Sequence, residues 1–101
     1  MKTFENKITE ITNQVSEKEV KNLGYVDLAL LGLRLTPEGG WDIEDMRQRF
    51  KLIDKLVLVD IGTDIELEDA EFDLIESTTI KKWAIMHKDV IAYSDYINSL
   101  K

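Results

Sequence analysis

The sequence predicts a mainly helical fold, a small bundle of four to five helices, with one short β-hairpin near residues 57–67 as the exception. Three observations point there. Ile43, Met46, Phe50, Ile53 and Val57 are spaced three, four, three and four, which at about 100° per residue draws one stripe on a helix. The most apolar stretch, residues 23–35, is rich in leucine and alanine and poor in β-branched residues. Turn and cap signals fall between the periodic stretches rather than inside them.

Residues 1–22 are expected as an amphipathic helical segment, docked on the body or extended as an arm, ahead of a compact helical domain over 23–101. Phe4, Ile8, Ile11 and Val15 supply its narrow stripe, at spacings of four, three and four. Four positions do not make a coiled coil, which needs several sustained heptads. Ser16 followed by Glu19 matches a capping box and predicts a second helical start there.

Residues 23–35 fit two periods. Val26, Leu28 and Leu30 alternate, whereas Leu28, Leu31 and Leu35 follow a helix; composition favours a buried helix, with Gly32 as its weak point. The run TPEGG ends it. Pro37 disfavours helical geometry at Thr36, and Gly39-Gly40 permits a turn.

The stretch 41–59 is read as the helix around which the rest is organised. Asp42 stands at the N-cap, where its carboxylate can accept from free N–H groups. Glu44 and Asp45 lie at the positive end of the helix dipole and Lys55 towards the negative end. Leu52 and Leu56 point away from the main stripe, so the helix has two apolar faces and is either sandwiched in a bundle or uses one face for a partner; the bundle core is the expectation, since such faces are ordinarily buried.

Gly62 breaks the pattern, and Ile65 and Leu67 alternate with Glu66 and Glu68 as in a short extended piece. Residues 57–61 also read as a strand, hence the hairpin between 57–61 and 64–67 around Gly62. A helix is expected from about Glu68, with Phe72, Ile75, Thr79, Trp83 and Met86 on one face and a stop near Ile80. The last helix starts around Asp89 and carries Val90, Tyr93, Ile97 and Leu100.

A chain of 101 residues with 44% hydrophobic and 33% charged residues is one globular domain rather than a disordered segment. No apolar run approaches the ~20 residues of a membrane helix. MKTFENKITE lacks the apolar centre of a signal peptide, and the absence of cysteine removes disulfides and thiolate metal sites. The expected setting is therefore intracellular or within a particle. The net charge of −7 opposes nucleic acid and anionic membranes and favours a protein partner.

The acidic run holds Asp60, Asp64, Glu66, Glu68, Asp69, Glu71, Asp73 and Glu76, with no lysine or arginine among them. Helix-start stabilisation with solvated neighbours is the simplest reading. A calcium loop beginning at Asp60 is a second reading, but its third position, Gly62, lacks an oxygen side chain and Ile65 stands where the sharp turn needs glycine. A docking surface for a basic protein is the third reading. Arg47, Arg49, Lys51 and Lys55 supply the opposite charge and allow pairing within the fold or between copies.

Catalytic sets are missing. His87 is the only histidine, placed as a linker or cap residue, and no nucleophile-and-base set accompanies it. No catalytic residue, metal ligand, cofactor or small-molecule substrate is expected. Trp41, Trp83, Tyr93 and Tyr96 read as packing residues rather than a base-stacking platform.

Gly39-Gly40, Met46-Arg47 with Arg49, Leu67-Glu68-Asp69-Ala70 and Trp83 form a pattern over about residues 39–97. It resembles small acidic proteins encoded in the structural or accessory regions of tailed bacteriophage genomes. The resemblance implies a viral setting, the host cytoplasm or a virion, and no catalytic residues. The expected function is a non-enzymatic interaction protein, a virion, assembly or accessory component that binds protein, self-association included. The alternative is an acidic inhibitor that presents a decoy surface to a basic host protein, a nuclease or defence factor. The interaction residues are Asp60, Asp64, Glu66, Glu68, Asp69, Glu71 and Asp73 with Arg47, Arg49, Lys51 and Lys55.

Overall fold

A computed structural model describes residues 1–16, 19–83 and 86–101, and of residues 14–16 the backbone alone. The chain runs β1 (Lys2–Glu5), β2 (Ile8–Ser16), β3 (Glu19–Gly24), α1 (Tyr25–Arg34), α2 (Ile43–Leu56), β4 (Asp64–Leu67), α3 (Asp69–Thr78) and α4 (Lys88–Ser99). Among the described residues, two two-stranded antiparallel sheets, β1–β4 and β2–β3, accompany four helices. The fold is α+β, and the expectation of a mainly helical bundle is overturned.

The N-terminal segment makes the difference. Five of the eight residues from Ile8 to Val15 are β-branched, which favours a pleated, half-buried strand. The inward residues follow period two: Phe4 and Asn6 are buried, then Thr9 and Ile11. Ile8, part of the expected helical stripe, is exposed. Ser16 and Glu19 are register partners of β2 and β3 instead of the ends of a capping box. Val15's side chain lies outside the described residues.

The expected 57–67 hairpin is also corrected. Residues 64–67 are extended, but β4 pairs with β1, Phe4 opposite Ile65 and Lys2 opposite Leu67. The intervening segment turns at Gly62, whose φ of 87° suits glycine.

The organising helix is α1. Seven of its ten residues are buried, against three of fourteen in α2. Gly24 at its N-cap has no side chain to offer, and Asn6 supplies the missing acceptor. Asn6 Oδ1 accepts from Val26 N at 3.0 Å while its Nδ2 donates to Val59 O at 3.0 Å. Asn6 N donates to Thr63 O, and Asn6 O accepts from Gly62 N, both at 2.9 Å. One buried side chain thus ties the strand crossing to α1 and to the turn before β4. A methyl at residue 24 would strike Asn6. Gly32, expected as a weak point, is where α1 meets the backbone at Thr78 without room for a Cβ.

Phe4, Ile11, Leu28, Leu33, Leu52, Leu56, Leu67, Phe72, Ile75, Tyr93 and Ile97 share one core, so the strands and helices bury each other. Tyr25 packs edge-on to Tyr93 at 5.3 Å, and Phe4 edge-on to Tyr96 at 5.7 Å. Tyr93 is buried with its hydroxyl unpartnered among the described residues. Burial, then the neighbouring Tyr25, pushes its phenol up.

Candidate functional site

α2 positions the site. Asp42 caps it, accepting from Glu44 N at 3.1 Å as the sequence predicts. The helix then shows two apolar faces, but only one is covered. Leu52 is 2% exposed and Leu56 fully buried, with Ile53 beside them. On the other side Ile43 is 60%, Phe50 57% and Val57 52% exposed, with Met46 half-buried between. Of the longer stripe, expected in the core, Ile53 is buried and Met46 half-buried, while Ile43, Phe50 and Val57 face outward because no described element covers that side of α2. Trp41 and Leu58 extend the exposed stripe at its ends.

The sequence-predicted basic residues divide between these faces. Arg49 has a side chain only 12% exposed. Its Nε donates to Asp45 Oδ1 at 3.2 Å and its Nη1 to Leu33 O at 3.2 Å and Leu35 O at 3.4 Å. It therefore supplies positive charge and donors to the carbonyl end of α1, and its guanidinium lies 5.0 Å from the centre of the Trp41 ring. Lys55 Nζ donates to Glu71 Oε1 at 2.8 Å, joining α2 to α3. Burial raises the Glu71 carboxyl, but hydrogen bonds from Lys55 and from Glu68 N together outweigh it, and the group titrates below its ordinary value. Arg47 and Lys51 remain exposed, Arg47 making only a 3.8 Å ion pair with Glu44 between two exposed side chains.

Between α1 and α2 lies an apolar hollow of about 230 Å³, walled by Leu33, Trp41, Met46, Phe50 and Ile53 and edged by Arg34 and Arg49. Ile43, Phe50, Arg47, Lys51 and Asp54 border a second hollow on the outer side of α2. Phe50 borders both, so the apolar surface runs continuously around it.

The acidic residues do not converge on one site. Asp60 is in the turn, Asp64 and Glu66 are on β4, Glu68 caps α3, and Asp69, Glu71 and Asp73 are within α3. Asp60, Asp64, Glu66, Glu68, Asp69 and Asp73 are exposed, while Glu71 is held by Lys55. Met1's ammonium lies 3.8 Å from Asp69, and Lys101 bonds Glu76 at 2.9 Å. The twelve positions of the calcium-loop reading are divided among turn, strand and helix, so that loop does not form.

Sequence reasoning missed a cluster at the start of α4. Ligand-type atoms of Glu10, His87 and Asp89 lie within 4.8 Å of one another. His87 is the α4 cap: its Nδ1 accepts from Asp89 N at 3.0 Å. That commits the Nδ1 lone pair and leaves the ring proton on Nε2. Asp89 Oδ2 accepts from Glu10 N at 2.7 Å. A cation here would also sit at the positive end of α4. The cluster anchors α4 to β2.

Among the described residues, no helix is long and apolar enough to cross a membrane. Comparison with family models, curated proteins and solved structures finds no match to this chain.

Proposed function

We propose that this chain is a non-enzymatic protein-interaction module that docks through the outer face of α2. One observation carries the reading: Ile43, Phe50 and Val57, two turns apart along one face of α2 and its C-cap, stand more than half exposed. Contiguous exposed apolar surface of this kind costs solvation in the free protein and is a recurrent mark of protein contact sites. Charged Arg47 and Asp54 flank it, which matches the apolar centre and polar rim of an interface. The virion, assembly or accessory setting is proposed from the resemblance over residues 39–97.

The acidic decoy reading has less support. Its carboxylates are spread over turn, strand and helix, Glu71 is tied to Lys55, and no exposed apolar anchor accompanies them on α3. Charge steers encounter, whereas buried apolar anchors supply most affinity.

A photo-crosslinking phenylalanine analogue at position 50, with a control at position 73 on α3, tests the choice in the native cell. Adducts of discrete mass from position 50 alone support the α2 reading. Adducts from position 73 alone select the acidic surface instead, and none from either position refutes both.

A further inference from the structure

We propose that the partner of this face is a second copy of the chain, with the two α2 helices packed antiparallel about a two-fold axis near Phe50. This rests on the docking reading and adds the identity and orientation of the partner.

Ile43, Phe50 and Val57 stand exposed at spacings of seven, one row of the seam from which paired helices are built; Met46 beside them is half-buried and Ile53 is held in the chain's own core. Such a seam has two flanks. One carries Arg49 and Leu56, and both are spent inside the fold: Leu56 is buried and Arg49 is bonded to Asp45 and the end of α1. The other flank carries Arg47 and Asp54, both exposed. Parallel helices bring unlike flanks together, whereas antiparallel helices bring like flanks together. Only the Arg47–Asp54 flank is free, so only the antiparallel arrangement is accessible.

Charge then sets the register. Arg47 and Asp54 are seven residues apart, with Phe50 between them. A two-fold axis beside Phe50 brings Arg47 of each copy opposite Asp54 of the other, giving two equivalent ion pairs. The same register brings Ile43 towards Val57 of the second copy and sets the two Phe50 side chains beside each other. The surface is complementary to itself, as a closed two-fold dimer requires. Arg47's existing pair with Glu44, at 3.8 Å between two largely exposed side chains, contributes little and yields readily. A single helix face is at the small end of specific interfaces, so the dissociation constant is expected on the order of 10 µM.

The test is molar mass by sedimentation equilibrium on the full chain, for wild type, Arg47→Asp, Asp54→Arg and the double variant. Wild type is expected to pass from monomer to dimer with concentration. Each single variant sets like charges opposite each other and is expected to weaken the dimer by about tenfold or more. An equimolar mixture of the two single variants restores opposite charges at both positions and is expected to form the heterodimer. The double variant is expected to regain the homodimer. Circular dichroism verifies that all four are folded, as these exposed positions allow.

A wild type that stays monomeric to roughly 500 µM, far above that dissociation constant, overturns the pairing. So do single variants that dimerise like wild type, or that fail to associate when mixed. A position-50 adduct with a different protein, combined with a monomeric wild type, overturns the second copy while leaving the docking face intact. Absence of any adduct from position 50 in the native cell counts against the docking reading itself.

Discussion

The two sides of α2 are built from similar residues and have opposite fates. Leu52 and Leu56 are sealed in the core, while Ile43, Phe50 and Val57, equally apolar and carried by the same helix and its C-cap, are exposed. The basic residues divide in the same way: Arg49 and Lys55 are tied to α1 and α3, Arg47 and Lys51 are not. The difference teaches that a helix's apolar faces are equivalent only until neighbours arrive. α1 covers one side, and nothing in the described fold covers the other.

Matched substitutions across α2 break or sharpen this contrast. The largest effect belongs to adjacent residues 56 and 57. Leu56→Ala removes buried methyl groups and is expected to cost about 2–5 kcal/mol, whereas Val57→Ala stays within about 0.5 kcal/mol. Urea denaturation at low protein concentration measures both, and equal costs contradict the inside–outside division.

The arginines follow. Arg49→Ala strips Asp45 of its partner and leaves the Leu33 and Leu35 carbonyls without their donor, so about 1–3 kcal/mol is expected. Arg47→Ala is expected within about 0.5 kcal/mol. The midpoint of the same denaturation curve separates them.

The lysines give the smallest effect and add a pH signature. Glu71 titrates lower in the folded chain than in the unfolded one, so its contribution is present above the ordinary carboxyl value and is lost as pH falls through the folded one. Lys55→Met is therefore expected to be less stable than wild type at neutral pH, with the gap closing as pH falls through the lowered Glu71 value and the carboxylate protonates. Lys51→Met is expected to show no such closing gap. Thermal melts across this range read both.

Much of the helical half of the fold was legible locally. Asp42 as the α2 cap, the turn at Gly39 and Gly40, with φ of 87° and 95°, and the core face of α4 follow from signals a few residues long. Ile65 and Leu67 likewise mark an extended piece, but its partner β1 lies some sixty residues earlier and no local pattern names it. Phe4, Ile8, Ile11 and Val15 fell at helical spacing by coincidence; the β-branched content of 8–15 was the competing signal and it prevailed. Asn6 looked like any polar residue, because its four backbone partners come from distant segments.

The candidate site was half legible. The stripe on α2 and the flanking charges were visible, but which apolar face is buried depends on what packs against it, and here the shorter face won. The acidic run was conspicuous in sequence, yet in three dimensions its members disperse over a turn, a strand and a helix.

The most direct test of the account places the same charge on each side of α2: Phe50→Asp and Leu52→Asp, compared by urea denaturation at about 1 µM, well below the concentration at which self-association adds stability. The account predicts that Phe50→Asp unfolds with wild type, within about 0.5 kcal/mol, and that Leu52→Asp is largely unfolded in buffer. A Phe50→Asp chain that loses several kcal/mol while Leu52→Asp remains folded would reverse the two faces and contradict the docking surface proposed on the outer one.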